Sequence, residues 1–155
     1  MGERALETAS TKYLDLKNLN TGGKMIIKGK SKTAAEQKWL EQVVDFAMYS
    51  DWLSGMYYTS CNHPYQFQID HILGAQAKRK VNGVTTKVGE FAIMPIPIEL
   101  HDLTSNHPLN RTLKPKAYRD KFGHEADVWR KMLDAMVLEG YELPFENELI
   151  DAVMR

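Results

Sequence analysis

Tyr65-Gln66-Phe67-Gln68-Ile69-Asp70-His71-Ile72 alternates apolar and polar side chains and then delivers an acid and a histidine side by side. Tyr65, Phe67 and Ile69 share one face of an extended segment and Gln66 and Gln68 the other, so the period of two predicts a half-buried strand ending at Asp70 and His71. Successive strand residues point to opposite sides. Such a pair can therefore aim one side chain at a metal ion and its neighbour at a substrate, a division that suits hydrolysis. The competing reading makes Asp70 a turn cap and His71 a hydrogen-bonded surface or core histidine, and the dipeptide alone does not choose between them.

Composition limits what can support the pair. The chain has 155 residues, 43% hydrophobic and 26% charged, which fits one globular domain. Its formal net charge is zero, so the overall balance points to neither nucleic acid nor a membrane. Charge is uneven along the chain: residues 1–30 carry six basic and three acidic side chains, residues 125–155 three and eight. A polyanion is expected to meet the middle of the chain and not its C-terminal part. Cys61 is the only cysteine, which excludes an internal disulfide and any zinc site built from several thiolates, and fits a reducing, cytoplasmic setting. No run of about 18 apolar residues and no signal-peptide pattern occurs, so no membrane association is expected.

Residues 1–30, with Asn18, Asn20, Gly22, Gly23 and several lysines, read as a flexible basic arm, and residues 31–155 as the folded domain. Thr33 and Glu36 form a capping box, and Trp39, Leu40, Val43, Val44 and Ala47 follow at helical spacing, predicting a helix to about residue 51 with one face in the core. Cys61 and His63 are assigned packing or surface roles, since two residues do not complete a tetrahedral site. Lys78, Arg79 and Lys80 read as a charged loop before the Asn82-Gly83 turn, with a second strand over residues 90–96. Pro97 then stands near the first turn of an expected short helix bearing His101. Further on, Pro115 opens a helix that Gly123 ends, Val128, Trp129, Met132, Leu133, Met136 and Val137 form a second helical stripe, and Leu149, Ile150 and Val153 belong to a last short helix. Two strands followed by a helix can bring an acid at the end of the first strand and a histidine on the helix to one cation.

On these residues the chain resembles the HNH, or ββα-metal, endonucleases, and more closely the phage recombination-enhancement (Ref-like) branch. The resemblance covers residues 32–140: a lysine-rich lead into a helix, Cys61 before the first strand, Asp70-His71-Ile72, the Pro95-Ile96 entry to His101, and Phe122-Gly123 before an amphipathic helix. It implies an α+β fold with a ββα-metal core and flanking helices. It also implies that Asp70 binds the metal, that His71 is the general base, and that His101 completes the metal site with His107 as the further ligand, Ser105 and Asn106 being weaker candidates. Many relatives have His-His where this chain has Asp70-His71, and a carboxylate suits Mg2+ or Mn2+. Relatives often carry a cysteine in a Pro-Leu-Cys stretch, where this chain has Pro97 and Leu100, so a structural Zn2+ is not expected. The family's central asparagine has no match near Ala92, which leaves another group, such as a backbone carbonyl, to orient His71.

The function expected from these features is metal-dependent DNA cleavage in phage-related recombination, with DNA as partner and a recombinase filament as a second one. Lys78, Arg79, Lys80, Arg111, Lys114, Lys116 and Arg119 are the expected phosphate contacts. Lys114 and Lys121 fall on one helix face, as do Lys116 and Arg119. Two other readings are a catalytically silent module that binds nucleic acid or a partner while keeping the ββα shape, and a metal-free α+β interaction protein.

Overall fold

Thr33 starts the first helix by the expected device: its hydroxyl accepts from the Glu36 N–H (3.1 Å) and the Glu36 carboxylate accepts from the Thr33 N–H (2.9 Å). The computed structural model describes residues 32–155; the expected arm, residues 1–30, lies outside them. Helix α1 (Ala34–Tyr49) buries Trp39, Leu40, Val43, Val44, Phe46 and Ala47, and a short helix, α2 (Trp52–Tyr57), follows. The fold is α+β. Strand β1 (Phe67–His71) pairs antiparallel with β4 (Ile93–Pro97), and β2 (Lys78–Val81) with β3 (Val84–Lys87) in a separate two-stranded sheet. Helices α3 (Pro115–Phe122), α4 (Glu125–Leu138) and α5 (Asn147–Met154) complete it. No helix among the described residues is long and apolar enough to cross a membrane.

All five residues of β4 are buried, two of them prolines. The backbone bonds Ile72 N–H to Ala92 C=O and Ile98 N–H to Gln66 C=O bracket the β1–β4 ladder at even-numbered positions of the second chain segment. Pro95 and Pro97 therefore stand where the strand's nitrogens face away from β1, and β4 has no second partner to miss them. Helices α1, α2 and α4 pack against β4. One core cluster centres on Trp39, Phe46, Met94, Trp129 and Met132, and a second joins Leu53, Tyr57, Ile96, Leu100 and Tyr118.

Three local expectations change. The first strand covers Phe67–His71, so Asp70 and His71 belong to it, paired with Met94 and Ile93, and Tyr65 lies outside it and exposed. Lys78, Arg79 and Lys80 form strand β2 of a hairpin and not a loop; the Asn82-Gly83 turn has φ of 51° and 79°, the two positive values of a type I′ turn. The helix expected to carry His101 is a single 3-10 turn, Ile98–Leu100, with His101 at its end. The Asp102 side chain accepts from both the Thr104 N–H (2.8 Å) and the Thr104 hydroxyl (2.7 Å), a local turn that competes with helix propagation.

Residues 88–92 are fixed from two sides. The indole N–H groups of Trp39 and Trp129 both donate to the Phe91 carbonyl, at 3.0 and 3.2 Å. On the other side Gly89 lies so close to the turn after β1 that a Cβ there would be 2.1 Å from the Gly74 carbonyl oxygen and 2.5 Å from that of Ala75. Both obstacles are backbone, so Gly89→Ala is expected to cost about 3 kcal/mol, at the severe end of overpacking. Urea unfolding would read this as a lower midpoint; an unchanged midpoint would mean that this contact is not present in solution.

Candidate functional site

Gln68 and Asp70 are two residues apart in β1 and share a face, and both face His101. His101 Nδ1 is 2.5 Å from Gln68 Oε1, and the Gln68 amide nitrogen is turned toward Asp102 Oδ2 at 3.5 Å, so the oxygen is the Gln68 atom that meets the ring. An oxygen acceptor requires Nδ1 to carry the proton. The other nitrogen, Nε2, is 3.6 Å from Asp70 Oδ1. In the neutral ring the Nε2 lone pair would face a carboxylate oxygen across this gap, with the opposite N–H held by a neutral acceptor, which is how metal-binding histidines are oriented.

Asp70 is 2% exposed and is held by Arg111. Arg111 Nη2 donates to Oδ1 (2.6 Å) and Nε lies 2.5 Å from Oδ2. The same guanidinium donates through Nη1 to Glu125 Oε2 (2.7 Å), and Glu125, 3% exposed, also accepts from Arg119 Nε (2.6 Å). Burial alone would raise the Asp70 carboxyl, but His101 beside it and the Arg111 guanidinium together outweigh burial and hold it below its ordinary value. Burial likewise opposes ionisation of Glu125, and its bonds to Arg119 and Arg111 bring it from 4.5 to about 2. Behind this network the buried hydroxyls of Tyr57 and Tyr118 meet at 2.8 Å, and burial keeps both protonated.

His71 points to the other side of β1, where its Nε2 is 2.9 Å from Glu90 Oε1. Glu90 is 5% exposed and also has Lys32 Nζ at 3.9 Å from Oε2. Burial would raise its carboxyl, but the hydrogen bond from His71, together with the charges of Lys32 and Lys87 and of His71 when it is protonated, brings it below the ordinary value. An ionised carboxylate on Nε2 makes that nitrogen the donor and leaves the Nδ1 lone pair on a ring that is 31% exposed. The group that orients His71 is therefore a carboxylate from the loop before β4, not a backbone carbonyl.

These lowered carboxylates set an acid limit on stability. For a group whose native pKa lies below its unfolded value, the unfolded chain binds more protons between the two, so stability is full above the unfolded value and falls on acidification. For Glu125 the window runs from 4.5 to about 2, a loss of about 3 kcal/mol across it, with Asp70 and Glu90 adding in the same direction. Urea midpoints should therefore fall between pH 5 and about pH 2. Glu125→Gln should flatten that slope, and a parent protein equally stable across the interval would contradict the network.

Comparison of the chain with protein families, curated proteins and solved structures finds no match. The geometry stands on its own.

His107 is not part of the Asp70–His101 pair. Its Nε2 is 2.7 Å from the Ser60 carbonyl and its Nδ1 accepts from the Leu109 N–H at 3.0 Å. Ser105 Oγ and the fully buried Asn110 both donate to the Glu99 carbonyl (2.6 and 3.3 Å), folding the 105–110 loop onto the 3-10 turn and carrying His107 toward Cys61. Cys61, Glu99 and His107 have ligand atoms within 4.8 Å of one another, the only such set of three among the described residues. Its thiol and imidazole suit a soft cation such as Zn2+ better than Mg2+. Burial, with Glu99 nearby, pushes the Cys61 thiol up to about 12.

The expected phosphate contacts divide. Lys78 and Lys80 are exposed on β2, with Arg79 between them donating to the Lys78 carbonyl. Lys114 and Lys116 are exposed at the start of α3, Lys116 pairing with Asp120 at 2.7 Å. Arg111 is not on this surface: its side chain is 17% exposed and engaged by Asp70 and Glu125. Arg119 is half-exposed but bonded to Glu125. No site role for Gln68, Glu90 or Glu125 is legible in the sequence; only their tertiary partners His101, His71 and Arg111, 14 to 33 residues away, reveal them.

Proposed function

We propose that the chain is a divalent-metal-dependent endonuclease of the HNH type that hydrolyses DNA phosphodiester bonds, with β1, β4 and the turn after them as a shortened ββα core. The observation that carries this reading is the facing of His101 Nε2 and Asp70 Oδ1 at 3.6 Å with Gln68 on the far side of the imidazole. Ligand bonds of about 2.1 Å to Mg2+ or similar ions span such a gap, and these ions keep waters where protein ligands are few. Asp70 and His101 would hold the ion, which supplies charge to polarise a phosphoryl oxygen and stabilise a leaving oxygen.

The remaining chemistry belongs to the chain. Glu90 holds His71 with its Nδ1 lone pair free, and that nitrogen takes a proton from the attacking water. A histidine can do so only when neutral, so cleavage falls on acidification. Arg111 keeps Asp70 ionised and in place. Lys78 and Lys80 on the hairpin and Lys114 and Lys116 on α3 supply sequence-independent phosphate contacts. A recombinase filament remains a candidate partner on the strength of the family resemblance.

One observation favours the silent binding module instead: Arg111 already donates to Asp70 Oδ1 and stands 2.5 Å from Oδ2, although Nε and Oδ2 form no hydrogen bond. Incubation of purified protein with single-stranded, duplex and branched DNA, with Mg2+ or Mn2+ or with EDTA, and with and without a recombinase filament, separates the two. Metal-dependent cleavage supports the nuclease. DNA binding with no cleavage in any ion-containing arm would leave the binding module.

A further inference from the structure

We infer that Arg111 makes the binding of the metal ion and of the phosphodiester at Asp70 interdependent, each weak without the other. This rests on the reading of Asp70 and His101 as the ion-holding pair. Asp70, Glu125, Arg111 and Arg119 form one connected cluster of two carboxylates and two guanidiniums, closed by bonds of 2.6 to 2.7 Å at each link. Its net charge is zero. A neutral His101, the form that can take an ion, adds none: Nδ1–H goes to Gln68 and Nε2 then offers a lone pair. A divalent ion on Asp70 would share the Oδ1 atom with Arg111 Nη2 and would leave the cluster with two uncompensated positive charges. Both carboxylates are almost fully buried, so water screens this excess poorly.

A phosphodiester supplies one of the two missing negative charges and so halves the excess. It can approach from the side of His101, whose ring is 27% exposed. Thermodynamic linkage then requires reciprocity: the nucleic acid tightens the ion by the same factor by which the ion tightens the nucleic acid. A factor of roughly 10 to 100 is expected, the ordinary range of coupling between two sites. Removing one guanidinium gives the cluster a net negative charge, so the ion should bind without help.

The test measures Mn2+ affinity by the paramagnetic resonance of free Mn2+, in the His71→Ala background so that a short oligonucleotide, duplex or single-stranded, stays intact. Support is a Mn2+ affinity at least 10-fold higher with saturating oligonucleotide, together with an Arg111→Gln protein that binds Mn2+ tightly alone and shows little further gain. Arg111→Lys keeps the charge and should keep the coupling, which a purely structural role of the guanidinium would not preserve. If Arg111→Gln does not fold, Arg119→Gln makes the same change in charge from a half-exposed position and should raise affinity in the same direction. Equal Mn2+ affinity with and without oligonucleotide, abolished by Asp70→Asn, overturns the coupling and leaves the ion-holding pair standing. Mn2+ binding indifferent to Asp70→Asn overturns both.

Discussion

The His71→Ala protein is expected to lose roughly 100- to 10,000-fold in single-turnover cleavage, the usual contribution of a positioned general base. Its fold should be intact, because His71 is one-third exposed and makes one side-chain bond, to Glu90. Mn2+ affinity should change little, since His71 is on the opposite side of β1 from Asp70 and His101. No concentration of ion should restore the rate. Glu90→Gln tests the same arrangement one step removed: an amide can still accept from Nε2 but no longer fixes the tautomer by charge. It should lower the rate less than His71→Ala and shift its pH profile. If His71→Ala cleaves as fast as the parent, His71 is not the base, and the nuclease reading gives way to the binding module.

Asp70→Ala should fail differently, in stability as well as in chemistry. Breaking a buried ion pair from one side leaves the other charge without its partner and typically costs 3–5 kcal/mol. Arg111 keeps Glu125, so about 3 kcal/mol is expected, visible as a lower urea midpoint. The exposed Lys116–Asp120 pair provides the contrast: Lys116→Ala should leave the midpoint almost unchanged, because solvated i,i+4 pairs contribute little. His101→Ala, which removes the other ion-holding side chain but no buried charge, should weaken Mn2+ with a smaller loss of stability, and part of its activity should return at high ion concentration. A Asp70→Ala protein as stable as the parent would show that Arg111 finds solvent or another acceptor, and that the cluster is looser than its bond lengths imply.

What the sequence made legible was local. The Thr33–Glu36 capping box, the Asn82-Gly83 turn, the Pro115 start of α3 and the apolar stripes of α1 and α4 each lie within a few residues of their cause, and each forms as expected except that Val137, at the end of the α4 stripe, is exposed. The alternation from Phe67 onward set the face that Gln68 and Asp70 share, and so placed Asp70 opposite His101 once β1 and β4 paired. The helix around His101 did not form because Asp102 binds Thr104, a competition between two short-range options that periodicity does not resolve. His107 was assigned by its position after that helix. The loop bonds of Ser105 and Asn110 to the Glu99 carbonyl take it instead to Ser60 and Cys61. Arg111 read as a surface cation because basic residues cluster around it; its pairing with Asp70 spans 41 positions, and no pattern in the sequence announces it.

The most direct measurement is the anomalous scattering of a crystal of the full chain grown with Mn2+ and an oligonucleotide. The account predicts a peak between Asp70 Oδ1 and His101 Nε2, within coordination distance of both, with Gln68 still on His101 Nδ1. A peak only at Cys61, Glu99 and His107, or an Asp70 carboxylate bound by Arg111 alone with Mn2+ and nucleic acid both present, would contradict it.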